Sequence, residues 1–404
     1  MGSPHGGGSA GRVADPPAKA TAIRFLVLSS GFWVLAALVL AGCGGPRQVS
    51  SSGAGAYEAS ITRTPNGFAV AWFDTRDGNA DIYFRTLDAS GEPSGPEHRL
   101  TSDPQLSYEA DIQSVNDRFA VAWYDKASDG KLQAKLGLSS PDGKLLWTNT
   151  LSSAQRNGRN TIVRVAGMRL FAAWLEDVDA EKSEVWGGWW DLEGKPVVEP
   201  RLLAPAGRTT YNLNAAIDSS NTAWLVFDAK AGTKAEELFV VMDDKASASV
   251  FPLTEDDGKA SKYPDLAIAG KRAALAWYDE RDGNQEVYVS VTSIGDLGGR
   301  PLRVTNTPGH SIGAYVAWNG DRVGLAWSDD SEGQPEIYFR PFRADGTPAD
   351  EATRVTNNPS SSLTPAIRPA GSGFALAWNE SESSADSARA GSGKSEIAFA
   401  IAGN

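Results

Sequence analysis

The sequence predicts an all-β protein built from seven copies of one four-stranded unit, and three observations support this fold class. An apolar run that ends in Trp-x-carboxylate recurs every 50 to 52 residues. Each copy contains four short apolar segments separated by turn residues. The fourth segment that the last copy lacks is found instead near the start of the chain. Together these features predict a seven-bladed β-propeller over residues 47–404, closed by the N-terminal strand, which completes the last blade.

The Trp position gives the clearest repeat in the sequence. Its near-constant spacing over most of the chain is typical of an array of similar units rather than of a pair of β-sandwiches. The fourth copy is the exception, with a valine where the others have tryptophan. The Trp position falls at Trp72, Trp123, Trp174, Val226, Trp277, Trp327 and Trp378.

Four strands are predicted in each copy. The second is the Trp strand, and its nearly continuous apolar residues indicate burial on both faces. The third begins with an acid, an aliphatic residue and usually an aromatic residue, and it follows tight turns such as Asp77-Gly78-Asn79. The first strands open near Tyr57, Tyr108, Arg159, Tyr211, Tyr263, Ile312 and Leu363.

Ring closure is predicted from the two ends of the repeat array. The last copy ends with its third strand, Glu396–Ala400, and has no fourth strand after it. The segment Arg47–Ser51 is similar in type to fourth strands such as Arg303–Thr305. We therefore expect the N-terminal segment to pair with the last blade, which would leave no exposed sheet edge.

Composition places the chain among folded proteins and limits its partners. The 404 residues are 41% hydrophobic and 22% charged, which is too apolar for a disordered chain. Lys and Arg number 38 against 50 Asp and Glu, for a formal net charge of −12. This balance disfavours nucleic acid and anionic lipid headgroups as partners, because both are negatively charged.

The N-terminal region contains an apolar run, Phe25–Ala41, that follows Arg24 and ends at the only cysteine. The sequence Leu40-Ala41-Gly42-Cys43 resembles the lipobox of bacterial lipoproteins. The resemblance implies that residues 1–42 are a signal peptide and that Cys43 becomes an acylated N-terminus. A buried cysteine at the end of an apolar segment is the alternative.

An acylated Cys43 would make residues 43–46 a lipidated tether, and the lipid would be the protein's only contact with a membrane. The expected location is the bacterial cell envelope, at the outer membrane or the periplasmic side of the inner membrane. Three residues span only roughly 10 to 15 Å. The anchor would therefore enter opposite the face that carries Asp77-Gly78-Asn79, and that face would point away from the membrane.

Candidate binding residues cluster where the first strands begin, at the predicted channel mouth. Tyr and Arg are typical of binding hot spots, although Tyr is also a good strand former, so packing is the alternative interpretation. The candidates are Tyr57, Glu58, Tyr108, Glu109, Arg159, Tyr211 and Tyr263.

The acids two residues after the Trp position are predicted to cap the turn that follows, not to form a catalytic or metal site. The spacing in Asp74–Asp81 does not fit a calcium loop. No His-Glu-x-x-His motif occurs, and no catalytic residue, metal or cofactor is predicted. The acids are Asp74, Asp125, Glu176, Asp228, Asp279, Asp329 and Glu380.

The repeat unit, clearest at Ala71–Tyr83 and Ala276–Tyr288, resembles the degenerate repeats of bacterial envelope propellers of the Tol-associated and sialidase-like kinds. The resemblance implies a fold and a habit of binding proteins or glycans. We therefore predict a monomeric, lipid-anchored envelope scaffold that binds a protein or polysaccharide through the membrane-distal face. The alternative is a glycan-cleaving propeller with a carboxylate pair in the channel mouth.

Overall fold

The structure, a computed structural model, describes residues 45–205, 210–382 and 393–404. These residues form seven four-stranded sheets and one 3-10 helix, Ile294–Asp296. The predicted seven-bladed propeller is confirmed. The predicted signal peptide and Cys43 lie outside the described residues. Within the described ranges, no helix is long and apolar enough to cross a bilayer.

The first strand of each blade lines the centre of the ring. Each first strand contacts the first strands of the two neighbouring blades, including the contact between blades one and seven. Because all seven meet in this way, their side chains form a continuous central wall. These strands are β2 (Ala56–Thr64), β6 (Leu106–Val115), β10 (Gly158–Ala166), β14 (Thr210–Ile217), β18 (Ser261–Ala269), β22 (Ser311–Asn319) and β26 (Ser361–Ala370).

The second strands carry the core, as their apolar runs predict. All eight residues of the second strand in blade one are buried, because neighbouring blades cover both of its faces. The second strands are β3 (Gly67–Asp74), β7 (Arg118–Lys126), β11 (Arg169–Asp179), β15 (Ala223–Ala229), β19 (Arg272–Asp279), β23 (Arg322–Asp329) and β27 (Gly373–Ser381).

The third and fourth strands form the outer part of each blade, and every described pairing within a blade is antiparallel. The third strands are β4 (Asp81–Asp88), β8 (Leu132–Ser139), β12 (Lys182–Trp190), β16 (Glu237–Asp243), β20 (Glu286–Ser293), β24 (Glu336–Arg343) and β28 (Ser395–Ala402). The fourth strands are β5 (His98–Arg99), β9 (Leu145–Thr150), β13 (Pro196–Ala204), β17 (Ala248–Pro252), β21 (Leu302–Arg303), β25 (Thr353–Arg354) and, for blade seven, β1 (Arg47–Gln48).

The N-terminal strand closes the ring as predicted, in a sheet of order β1-β28-β27-β26. The hydroxyl of Ser50 hydrogen-bonds to the carboxylate of Glu396 and accepts the Ile397 N–H at 2.8 Å. Blade five has the same arrangement within one continuous stretch of chain, where Thr305 bonds to Glu286. The two ends of the chain therefore rebuild a contact that other blades make locally.

The turn-cap prediction is confirmed at three acids of the Trp-x-carboxylate motif, Asp74, Asp279 and Asp329. Asp125, Glu176 and Glu380 instead accept hydrogen bonds from other groups, including the indole N–H two residues before each of them. Asp74 accepts the Arg76 N–H at 2.9 Å, and equivalent bonds form at Asp279 and Asp329. The same carboxylate also accepts the indole N–H of Trp72, at 2.9 Å. In blades one and five the motif therefore combines a turn cap with a hydrogen-bond partner for a buried tryptophan.

The fourth blade corrects one alignment made from the sequence. Phe227, not Val226, takes the Trp position, because it pairs with Phe239 and stacks on it with ring centroids 5.6 Å apart. Trp72 stacks on Tyr83 in the same way in blade one. The strand is apolar at both positions and buried on both faces, so spacing alone did not show the one-residue shift.

The shift also changes the role of Asp228, for which the turn-cap prediction is wrong. Ala229 pairs with Glu237, and so occupies the position that the capping acid has in blade one. Asp228 instead accepts the backbone N–H groups of Asn212 at 3.0 Å and Tyr263 at 2.9 Å. It therefore connects the first strands of blades four and five.

The contacts that close the ring predict that Glu396→Ala is less stable than the unaltered protein. The Glu396 carboxylate accepts the N–H groups of Ser52 at 2.9 Å and Gly53 at 2.8 Å. Losing these charge-assisted bonds should lower the free energy of unfolding by about 1 to 3 kcal/mol. Chemical denaturation measures the change, and Glu193→Ala at an exposed position is the control. Equal stability of the two variants would contradict the closure mechanism.

Candidate functional site

A two-residue bulge interrupts the pairing of first and second strands near the start of each first strand. In blade one the register shifts between Tyr57 and Ser60. The first bulge residue is in the left-handed region, with φ between 47° and 62° in the blades where it is described. This conformation costs non-glycine residues roughly 1 kcal/mol or more. The residues are Glu58, Glu109, Asn160, Tyr263, Gly313 and Thr364.

These bulge residues line a cavity of about 560 Å³ whose wall is formed by the first strands of all seven blades. A second cavity of about 360 Å³ shares Glu58, Tyr263 and Tyr315 with the first and extends to His310. We call the two adjoining cavities the axial funnel. Its mouth lies at the end of the ring where the first strands begin.

Glu58 and Glu109 form an acid pair on one side of the mouth. Burial raises the pKa of both carboxyls, and the negative charge of Glu109 raises that of Glu58 further. At Glu109 the charge of Arg159 and a hydrogen bond from Tyr124 oppose the effect of burial. The pair therefore retains a proton at pH values where two exposed glutamates would both be ionised.

One oxygen of the pair has no partner. The Oε2 atom of Glu58 is buried and makes no hydrogen bond to any described residue. A buried carboxylate oxygen without a donor is unfavourable, whereas a protonated carboxyl or a bound ligand would satisfy it. Glu58 is thus the group in the pair best placed to hold the proton.

Aromatic side chains lie in blades five and six of the same funnel. Tyr263 is 46% exposed, and one face of its ring stacks on Tyr278 with centroids 5.5 Å apart. Tyr315 lines both cavities, and burial raises the pKa of its hydroxyl, with smaller contributions from the charges of Asp265, Glu58 and Glu109. The funnel therefore combines carboxyl groups with a flat, supported aromatic surface.

Polar side chains deeper in the funnel connect neighbouring blades. Arg164 donates to Asp111 and to Asn214, each at 2.5 Å. Asn214 in turn donates to Asp265, whose other oxygen accepts the Val316 N–H at 2.8 Å. This chain of bonds runs from blade two to blade six and fixes the position of the funnel wall.

Four of the predicted binding residues lie on the funnel wall: Glu58, Glu109, Arg159 and Tyr263. Tyr263 occupies the bulge position of the two glutamates, not the position of Tyr57, because Lys262 is the residue that pairs as Tyr57 does. Arg159 is committed to the structure through bonds to the Asp177 carboxylate, the Ser183 hydroxyl and the Thr210 carbonyl.

The other predicted tyrosines are placed differently. Tyr57 is 1% exposed, and its hydroxyl donates to the Gly393 carbonyl. Tyr108 packs against Phe73 and Tyr124, with centroids 5.2 and 5.7 Å away. The packing interpretation left open by the sequence fits both. Tyr211 lies in β14, and its side chain is outside what the structure describes.

Sequence reasoning missed Tyr315, Arg164 and Arg368, which also line the funnel. Each lies on a first strand, two or four residues after the bulge position, where most copies have other residue types. A charged residue on a strand predicted to line the ring centre could have identified the two arginines. Within the described ranges, no group of three or more His, Cys, Asp or Glu side chains could hold a metal ion.

Comparisons with solved structures show the fold. The chain is similar to a puromycin-hydrolysing peptidase from Mycobacterium tuberculosis, with a TM-score of 0.54, 12% identity, and coverage of 84% of this chain and 52% of that one. It is similar to the polysaccharide lyase Uly1, with a TM-score of 0.55, 9% identity, and coverage of 85% and 90%. A structure from a study of two prolyl endopeptidases gives a TM-score of 0.51, 16% identity, and coverage of 81% and 46%.

The chain is thus a seven-bladed β-propeller protein, and it spans about half the length of the two peptidase chains. No protein-family model matches the sequence, and no curated protein matches it significantly. At identities this low the likenesses establish the fold alone.

Because of the acid pair, we expect the free energy of unfolding to depend differently on pH in the unaltered protein and in Glu58→Gln. In the unfolded chain Glu58 ionises near its ordinary pKa, whereas in the folded protein its pKa is raised. Between these two pKa values the folded state binds more protons than the unfolded chain does. The free energy of unfolding therefore falls as the pH rises through this range. The fall is at most about 1.4 kcal/mol per pH unit for one proton.

Glu58→Gln removes this titration, so its stability should decline less between pH 5 and 7. Urea unfolding at several pH values measures the difference, and the exposed substitution Glu255→Gln is the control. Parallel pH profiles for the unaltered protein and Glu58→Gln would refute the raised pKa.

Proposed function

We propose that this protein is a lipid-anchored propeller of the bacterial cell envelope that binds a polysaccharide through the axial funnel. The observation that carries the proposal is the funnel itself, in which the exposed ring of Tyr263 and the acid pair Glu58 and Glu109 line connected cavities. Aromatic faces suit the apolar faces of sugar rings, while carboxyl groups accept hydrogen bonds from sugar hydroxyls.

The concave shape favours a polysaccharide over a protein partner. A cavity of about 560 Å³ has the size of a small-molecule site, large enough to enclose a short stretch of sugar units. A folded protein partner would instead need a broad surface of about 800 Å² on each side. We therefore favour the polysaccharide among the two partners that the sequence left open.

The course of the N-terminal segment supports a membrane-distal funnel. In blade seven, Arg47 pairs with Phe399, and the chain then runs past Glu396 towards the start of β2. Residue 45 therefore lies towards the end of the ring opposite the funnel mouth. A lipid on Cys43 would leave the mouth facing away from the membrane surface.

Glycan cleavage is the second candidate function, and the acid pair favours it. Two carboxyls with unequal proton affinity can divide the roles of general acid and general base. Glu58, with the more strongly raised pKa, would be the acid, and Glu109 would be the base or nucleophile. A glycosidase needs no further catalytic group than such a pair.

Lipidation is tested with Cys43→Ser. The unaltered protein should incorporate labelled palmitate and sediment with membranes, because two or three acyl chains anchor a protein stably. Cys43→Ser should do neither. Membrane sedimentation of this variant to the same extent as the unaltered protein would refute the anchor.

Polysaccharide binding is tested on an array of bacterial envelope oligosaccharides. Tyr263→Ala should weaken binding at least about tenfold, since it removes the aromatic surface. Tyr338→Ala is the matched control: Tyr338 also stacks on an aromatic ring, that of Trp327, but on a third strand and outside the funnel. Equal losses in the two variants, or no bound oligosaccharide, would refute the proposal.

The same oligosaccharides distinguish binding from cleavage. If the pair is catalytic, any ligand that binds will release new reducing ends, and Glu109→Gln will abolish the release even at oligosaccharide concentrations that fill the site. Binding without release would reject the enzyme and retain the binding protein.

A further inference from the structure

Arg368 is a charged side chain in the axial funnel that the protein itself leaves largely unpaired. It lies on β26 and contributes to the cavity wall. Its one hydrogen bond to a described residue runs from Nη1 to the neighbouring Ile367 carbonyl, at 2.7 Å. No carboxylate of the described residues lies within ion-pair distance of its guanidinium, which leaves most of its donors available.

The nearest acids are committed elsewhere. Asp111 receives bonds from Arg164 and from the Val163 N–H at 2.9 Å. Asp265 receives bonds from Asn214 and from the Val316 N–H. Both carboxylates influence Arg368 through their charge, but neither forms a direct contact with it.

Arg164 provides an internal comparison, because it occupies the same register position in blade three as Arg368 does in blade seven. The Arg164 guanidinium bonds to two side chains, and it also donates to the carbonyls of Ala215 and Val163, each at 2.6 Å. At this depth the protein therefore gives one arginine four hydrogen bonds and the other a single hydrogen bond to the described residues.

Burial works against the charge on Arg368. Desolvation and the positive charge of Arg164 both lower the pKa of its guanidinium, and Asp111 and Asp265 only partly oppose them. Even so, arginine stays charged in proteins. An enclosed cation with unused donors is unfavourable for the folded protein, and an anion bound beside it would relieve that cost.

Space beside the guanidinium fits such a ligand. Arg368 lines the cavity of about 560 Å³ that the seven first strands surround. Arg368 lies four residues beyond Thr364 at the mouth, which places it roughly 13 Å further along the strand. A chain of sugars that contacts Tyr263 at the mouth could therefore extend down to Arg368.

We propose that Arg368 is a carboxylate-binding subsite and that the polysaccharide is acidic, with a uronic acid residue placed against this guanidinium. This inference rests on the proposed function and specifies the class of sugar. The planar guanidinium binds a carboxylate through two parallel hydrogen bonds. A singly charged carboxylate suits the site better than a phosphate dianion, because Asp111 and Asp265 are close enough to repel additional negative charge.

The test compares glucuronate with glucose, which differ in carrying a carboxylate or a hydroxymethyl group. Full-length protein in detergent is titrated with each sugar, and binding is followed by saturation-transfer NMR. The unaltered protein should bind glucuronate at least tenfold more tightly than glucose. Arg368→Gln should reduce glucuronate binding to the level of glucose and leave glucose binding unchanged.

Two further variants make the outcome specific. Arg368→Lys keeps the charge but loses the planar pair of donors, so it should bind glucuronate with intermediate affinity. Arg343→Gln removes an exposed arginine outside the funnel and should behave as the unaltered protein does. Unfolding curves establish that each variant is folded.

Equal binding of both sugars to the unaltered protein and to Arg368→Gln would overturn the subsite and leave the proposed polysaccharide site intact. If the unaltered protein binds neither glucuronate nor glucose, the subsite is also overturned. If the unaltered protein then binds no oligosaccharide of the array either, the proposed function fails with it.

Discussion

The pairing of β1 with β28 is the interaction on which the ring depends, because it joins the two ends of the chain in one blade. Other blades are made of strands consecutive in sequence, so each can form from local contacts. Without the donated strand, blade seven would have three strands and an open outer edge.

The protein treats its buried acids in two ways. In the second strands of blades one and five, Asp74 and Asp279 each accept bonds from a backbone N–H, an indole and an arginine, and these bonds outweigh the effect of burial and lower the pKa of both carboxyls. At the funnel mouth, Glu58 and Glu109 have few donors, and burial raises their pKa. The first arrangement stabilises the turns of the blades. The second leaves protonatable groups facing a cavity, which is typical of functional sites.

The sequence was sufficient to predict the number of blades, the strand order and the closure, because all three follow from a long period and from the missing last strand. Val226 and Phe227 mark a limit of that reasoning, since two adjacent apolar residues on a doubly buried strand satisfy the same pattern. Binding residues were also predicted at the start of the first strands, and four of them line the funnel. There, however, the bulge exposes Glu58 to the funnel and turns the preceding residue, Tyr57, into the core. A local change of backbone conformation of this kind has no periodic signal in the sequence.

Arg368 illustrates why the rest of the site could not be predicted. A single arginine on one strand has no pattern around it, and its importance comes from what surrounds it after the ring closes. The acids that influence it belong to blades two and five, distant in sequence, and they are bonded to other groups. Only the assembled ring brings these charges together.

Closure by the chain ends also determines the order in which the protein can fold. Blades one to six can form one after another while the chain is synthesised from its N-terminus, since each requires only neighbouring sequence. The sheet of blade seven has to wait for the final residues, because Arg47 pairs with Phe399. Until then β1 is an unpaired strand that could associate with other chains. The last step of folding, when β1 pairs with β28, is therefore expected to be the slowest and the one at which the chain is most prone to aggregate.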